Sequence, residues 1–274
     1  MGAIPANEVV ATAQRAEELG FSSVTLPDHL DDQAAPLIGL TAAALSTTTL
    51  RVLPLVLAND YRHPVMLAKE IATLDGLSGG RLEFGIGAGW MKTDYEQAGL
   101  PYDSPGTRIA RLRESVTVLR SLLAGERVDF EGEHYSVHAE LQPPHPVQKP
   151  IPLMLAGGKQ KMLTMAGELA DIVGINPGLT AGVIDERAGQ DATPAKTDRK
   201  LEWVREGAGD RFGDITLQTR LHLAMIHDDR AGLAAELGPL MGLSAEDALG
   251  SPHTLIGTVQ QCIDEVKSLS LIHI

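Results

Sequence analysis

Cysteine occurs once in these 274 residues, at Cys262, so a disulfide framework and a thiolate metal centre are both excluded. Basic side chains are in the minority, 23 Lys and Arg against 36 Asp and Glu, for a net charge of −13. A chain of that sign offers no general basic surface to DNA, RNA or an anionic membrane. A local basic pocket for one small anion stays compatible with it. No apolar run approaches the ~20 residues that cross a bilayer. Met1-Gly2-Ala3-Ile4 lacks a basic leader followed by an apolar stretch, so the expected location is the cytoplasm. There is no HExxH, no Cys cluster and no carboxylate-rich triad, and His134, His138 and His145 lack metal-site spacing; no metal is expected. A GxSxG elbow and a Walker loop are missing too.

What is present is an ordinary globular composition, 43% hydrophobic and 22% charged, with no shift that marks a second domain. A single domain over 1–268 is expected. Asn7 can cap a helix over 8–19 that Gly20 stops. Ser23 to Leu26 reads as a strand ending at Pro27-Asp28-His29, and a helix near 36–47 leads to a strand over 51–57. His63 belongs to the turn before Pro64, which opens a helix carrying Leu67, Ile71 and Leu74 at helical spacing. Residues 81–87 are the next strand. The clearest helix covers 108–124, with Ile109, Leu112, Val116, Leu119 and Leu123 on one stripe. Val128 to Val137 reads as a hairpin, and a Pro-rich link (Pro143 to Pro152) leads to strand Leu153–Ala156 and a helix around 159–169. Asp171–Ile175 and Ile215–Ile226 are further strands, with a helix near 197–206 between them. Leu255 to Lys267 closes as a helix, in which Cys262 sits with Ile256, Val259, Ile263 and Val266 on a buried face.

Strict strand–helix alternation implies a parallel sheet, and this many units favour a (β/α) barrel over an open doubly wound sheet. The doubly wound alternative needs a glycine-rich turn after its first strand, where Leu26-Pro27-Asp28-His29 stands. Gly85-Ile86-Gly87-Ala88-Gly89-Trp90 is GxGxG rather than the dinucleotide fingerprint, and Met91-Lys92-Thr93-Asp94 after it carries no apolar helix stripe. Six core strands can be read, two short of a closed (β/α)8 barrel.

Chemistry-bearing residues gather at the carboxyl ends of the strands. Asp28 can accept a hydrogen bond from a cofactor ring N–H, and His29 can shuttle protons near neutral pH. A turn-capping Asp and a solvated His would read the same way. Pro54 removes a ladder donor inside Leu53-Pro54-Leu55-Val56-Leu57-Ala58-Asn59, so a distortion is expected there. Glycines at the end of 81–87 permit close approach of a flat ring. Ala156-Gly157-Gly158-Lys159, between strand and helix, could expose N–H groups to a phosphate. Thr216, Gln218, Arg220 and His222 alternate along 215–226, lining an interior or satisfying one another.

In order and wording the block Arg51 to Trp90 resembles the bacterial-luciferase-like family of flavin- and deazaflavin-dependent oxidoreductases, and Ser251-Pro252-His253-Thr254-Leu255-Ile256-Gly257-Thr258 resembles it again. The resemblance covers roughly 8–268 and implies a luciferase-like (β/α)8 TIM barrel of the F420-dependent branch. It implies that Asp28 and His29 lie beside the cofactor ring, with His29 as acid/base. It places a non-prolyl cis peptide at Leu55–Val56 or one bond later, with Leu55, Val56, Leu57, Ala58 and Asn59 behind the ring. Gly87 and Gly89 would approach the cofactor, and Gly157 and Gly158 its phosphate. Sugar-phosphate dehydrogenases of the family carry a proton-donating glutamate where Trp90 stands, so that activity is not expected.

The relatives also begin with a strand before the first helix and end with a strand and helix not found here. Leu269-Ser270-Leu271-Ile272-His273-Ile274 reads like a translated sequencing adapter. The expectation is a barrel fragment over 1–268 with a non-native tail at 269–274. The function expected is hydride transfer between coenzyme F420 and a small organic substrate. FMN-dependent monooxygenase and inactive fragment are the alternatives, and a metal-dependent hydrolase using Asp28, His29 and His222 is more remote. A homodimer stays possible.

Overall fold

Pro54 interrupts the strand expected over 51–57. A computed structural model of the chain describes residues 4–179, 182, 183 and 186–271. In it the chain forms two compact units, 2–154 and 155–274.

The first unit contains α1 (Val9–Glu18), β1 (Ser23–Leu26), α2 (Pro36–Ser46), β2 (Arg51–Pro54), β3 (Leu57–Ala58), α3 (Pro64–Ser78) and β4 (Phe84–Gly87). It continues through α4 (Lys92–Ala98), α5 (Pro105–Ala124), β5 (Arg127–Glu131) and β6 (Ser136–Glu140) into β7 (Leu153–Gly157), inside which the division falls. Strand β2 pairs in parallel with β1, Leu26 opposite Pro54. After Pro54, which has no N–H to give, the peptide Leu55–Val56 is cis. Strand β3 then pairs with β4, Ala58 opposite Gly87. The carboxyl ends of β1, β3 and β4 therefore open on one edge. Helix α3 starts as its sequence dictates, with Pro64 in the first turn and His63 Nδ1 accepting from Val65 N. It buries Leu67, Ile71 and Leu74, each contributing about 1.5–3 kcal/mol. Ser104 caps α5 and Gly125 ends it in the left-handed region. β5 and β6 form the expected antiparallel hairpin.

Three carboxylates on helices each gather neighbouring N–H groups. Glu17 accepts from Thr48, Thr49 and Leu50 N, and these bonds, led by those from Thr49 and Leu50, bring its carboxyl down to about 2. Asp75, fully buried, accepts from Val147 and Gln148 N and from Gln148 Nε2. Glu114 accepts from Glu133, His134 and Tyr135 N.

The second unit takes up α6 (Gln160–Leu169), β8 (Ile172–Ile175), α7 (Glu186–Gln190), α8 (Pro194–Ala208), β9 (Thr216–Thr219), β10 (Leu223–Ile226), α9 (Arg230–Leu237), α10 (Ala245–Gly250), β11 (Thr254–Gly257) and α11 (Val259–Leu271). Strand β9 pairs in parallel with β8, and β10 with β11.

Several boundaries differ from the sequence reading. Helix α1 starts at Val9 without a side-chain cap from Asn7. Lys92–Ala98 is helical despite lacking an apolar stripe, because buried Tyr95 and Asp94 anchor it to the rest of the unit and Gly99 ends it in the left-handed region. The strand expected over Ile215–Ile226 is two, each serving a different neighbour. Thr254–Gly257 is a strand and not the start of the last helix, since β10 offers it a ladder. Cys262 is buried as expected, but Val259, Ile263 and Val266 are exposed. Of the expected tail, Leu269 to Leu271 continue α11 and 272–274 lie outside the described residues. No helix among the described residues is long and apolar enough to cross a membrane.

Candidate active site

The edge formed by β1, β3 and β4 belongs wholly to the first unit. Asp28 leaves β1 and is 8% exposed. Its Oδ2 accepts from Ala58 N at 3.0 Å and from Arg62 Nη1 at 2.6 Å, and Oδ1 accepts from Arg62 Nη2 at 3.1 Å. Three of the roughly four lone-pair positions of a carboxylate are thus taken. One on Oδ1 is left for a ligand N–H. Asp28 ties the β1 loop to the start of β3's loop as well as facing the edge.

His29 follows. Its Nδ1 lies 2.7 Å from Asp94 Oδ2, and Nε2 carries no hydrogen bond among the described residues. The Trp90 ring meets the imidazole edge-on, centroids 5.4 Å apart. Asp94 comes from the first turn of α4 and is 2% exposed. It also accepts from Tyr61 OH at 3.3 Å on Oδ2 and, more loosely, from Leu30 N at 3.4 Å on Oδ1. Burial, then the Asp94 and Asp28 carboxylates, push the Tyr61 phenol far above its ordinary value, so it remains a donor. Asp94 was missed in the sequence because nothing in a seven-residue polar helix marks one carboxylate as turned toward a loop 65 residues earlier.

Behind these groups, Asp60 accepts from Tyr95 OH at 3.0 Å and pairs with Arg111 at 2.9 Å, and Arg111 also holds Asp103. Buried Asn59 donates to Tyr135 OH at 3.1 Å, while its Oδ1 has no partner. Leu57 and Ala58 lie in β3, and Leu55 and Val56 flank its cis peptide. Gly87 sits in the β3–β4 ladder. Gly89 has φ +75°, and a Cβ there would run into Tyr95 OH. The protein's own packing therefore demands that glycine, whether or not a ligand lies over it.

Gly157 and Gly158 lie in the second unit. A Cβ on Gly157 would strike Met162, and one on Gly158 would lie 2.6 Å from backbone atoms of Asn176, Pro177 and Gly178. Lys159 pairs with Asp191 at 3.3 Å, and the buried Lys200 reaches the same carboxylate at 3.0 Å. Burial would raise Asp191, but Lys200 and Gly178 N hold it below the usual range. The His222 and His253 rings lie tilted against each other at 47°, centroids 5.6 Å apart. Burial brings His253 down to about 4; its Nδ1 faces Arg220 O, and Nε2 has no partner. Among the described residues no cluster of three His, Cys, Asp or Glu could hold a metal.

Parallel strands alternating with helices, with polar groups gathered at carboxyl ends, are the pattern of the (β/α)-barrel class. The coenzyme F420-dependent tetrahydromethanopterin reductase of Methanopyrus kandleri has the same fold. It superposes with a TM-score of 0.76 over 98% of this chain and 87% of its own, at 21% identity. That fold is the luciferase-like TIM barrel. The sequence profile of the luciferase-like monooxygenase family matches residues 1–231, and the chain belongs to that family. It is 36% identical over 174 residues to an F420-dependent glucose-6-phosphate dehydrogenase of Intrasporangium calvum, covering 60% of this chain and 52% of the relative. A protein of the same description from Nakamurella multipartita is 34% identical over 261 residues, 89% of this chain and 73% of its own. The chain spans about half the length of several of the curated relatives it matches.

Proposed function

We propose that this protein is an F420-dependent oxidoreductase that transfers a hydride between the deazaflavin and a small organic substrate. The observation that carries the reading is His29, held through Nδ1 by Asp94 while Nε2 stays unengaged at the carboxyl edge of the strands. Relatives that use F420 support the choice of cofactor.

The residues present fit such a group. Asn59 Oδ1 is a buried acceptor without a partner, and Asp28 Oδ1 has one lone pair left; both suit the N–H groups of a flat heterocycle. Leu55 to Asn59 would back the ring; in the second unit, taken by itself, the glycine turn at Gly157 and Gly158 is of a kind that suits a phosphate. The deazaflavin, when bound, supplies a carbon that takes or gives hydride. With Nδ1 donating to Asp94, Nε2 of neutral His29 carries the lone pair, so it can take a proton from a substrate hydroxyl or return one. Trp90 meets the imidazole edge-on at a centroid distance of 5.4 Å and limits its rotation. Since Trp90 offers no acid where the sugar-phosphate dehydrogenases carry glutamate, the substrate proposed is not a sugar phosphate. A cytoplasmic location and a homodimer remain part of the proposal.

Fluorescence titration against F420 and FMN tests it. Tight binding of F420 alone is expected. Preference for FMN would move the reading to an oxygen-using monooxygenase, and binding of neither by well-folded protein would sink both.

A further inference from the structure

We propose that Asp94 is the positioning residue of His29, fixing its tautomer and supplying the negative charge against which an imidazolium forms. This rests on the reading of His29 as the proton-transfer group.

The distribution of countercharge at this edge carries the inference. Asp28 is neutralised by Arg62, and Asp60 and Asp103 share Arg111. Among the described residues Asp94 alone of these four has no arginine or lysine, and its one basic partner is His29. A carboxylate 2% exposed is costly to keep without a counter-ion. Its remaining neighbours, Tyr61 OH and Leu30 N, are neutral donors. They satisfy its lone pairs without cancelling its charge. That charge therefore acts on the imidazole 2.7 Å away.

Geometry adds the second half. Both Asp94 oxygens are acceptors, so Nδ1 must be the donor and the mobile proton is confined to Nε2. Free neutral histidine prefers its proton on Nε2, which would present N–H and no base to a substrate. Asp94 inverts that preference. The edge-on Trp90 ring restrains the imidazole on another side, so the dyad is held in orientation as well as in protonation. When Nε2 takes a proton, the new positive charge appears directly against Asp94. Stabilisation of that kind is present before the reaction and needs no rearrangement.

The test uses the intact chain labelled with ¹⁵N-histidine, His29 being assigned through His29→Gln. At pH 8, without cofactor, His29 should show the Nδ1–H tautomer. Asp94→Asn should shift it toward Nε2–H. Tyr61→Phe, which removes the other donor to the same oxygen, should leave the tautomer unchanged. In a cofactor-loaded assay Asp94→Asn should lower kcat by about 10²-fold or more, the scale of general acid–base catalysis, with KM little changed, and Asp94→Glu should recover part of it. Nε2–H in the wild type would overturn the proposal even if Asp94→Asn failed to fold, and so would a tautomer indifferent to that substitution. The spectra need no cofactor, so a correct tautomer with no F420 binding would remove the oxidoreductase reading and leave the dyad standing.

Discussion

Removing the guanidinium from Asp28 is the sharpest test of how this edge is built. Arg62→Met keeps the stem and deletes both charged hydrogen bonds, at 2.6 and 3.1 Å. Breaking a buried pair by losing one partner costs about 3–5 kcal/mol, because the other charge is left uncompensated. Asp28 is 8% exposed but Arg62 is 23% exposed, and Ala58 N continues to hold the carboxylate. The expected loss therefore falls to about 2–3 kcal/mol. Asp28→Asn should cost a similar amount. The double substitution should cost little more than either, since it leaves no orphaned charge. Urea denaturation of the four proteins gives the coupling, expected at about 1.5–2.5 kcal/mol. A coupling under about 0.5 kcal/mol would refute the anchor and return Asp28 to the role of a ligand-binding group.

His29→Ala should lower turnover by about 10²- to 10⁴-fold while cofactor affinity, read by fluorescence, stays near the wild-type value; unchanged turnover would remove His29 from catalysis. Gly158→Ala places a methyl group against the Asn176–Gly178 backbone and should cost about 1–3 kcal/mol in thermal unfolding. Gly158→Asp should weaken cofactor binding beyond Gly158→Ala if the turn meets phosphate, and equal weakening by both would leave only the steric effect. His253 is depressed from 6.5 to about 4 by burial, so between those pH values the unfolded chain binds the extra proton and stability rises with pH. The full span is on the order of 3 kcal/mol, present above pH 6.5 and lost toward pH 4. His253→Gln should flatten that slope in denaturation measured across the window, and an unaltered slope would contradict it.

The alternation of strands and helices was legible because Pro64, Gly125 and the Leu67–Ile71–Leu74 spacing act within a few residues of themselves. The interruption at Pro54 was legible for the same reason, since a missing N–H is a local fact. Beyond reach were features decided by partners far along the chain. Nothing in Thr254–Gly257 shows that β10 will offer it a ladder, and a short apolar run suits strand and helix alike. Asp28 and His29 were singled out by their place after a strand. Arg62 and Asp94 were not, because their side chains meet that pair only through folding across 34 and 65 residues, and Tyr61 joins only through Asp94. Gly89 suits close approach of a ring and Gly158 an N–H group offered to phosphate, while packing against Tyr95 and Asn176–Gly178 already requires both glycines.

The carboxylates of Glu17, Asp75 and Glu114 hold their distant segments largely by main-chain N–H groups. Recognition of that kind is blind to side-chain identity. Such segments can drift through many residue types while their fastening persists, provided proline stays out, since it alone brings no N–H to the carboxylate. The memory of where these loops attach is thus kept in three acidic residues on helices, and the loops are left free to acquire new surfaces.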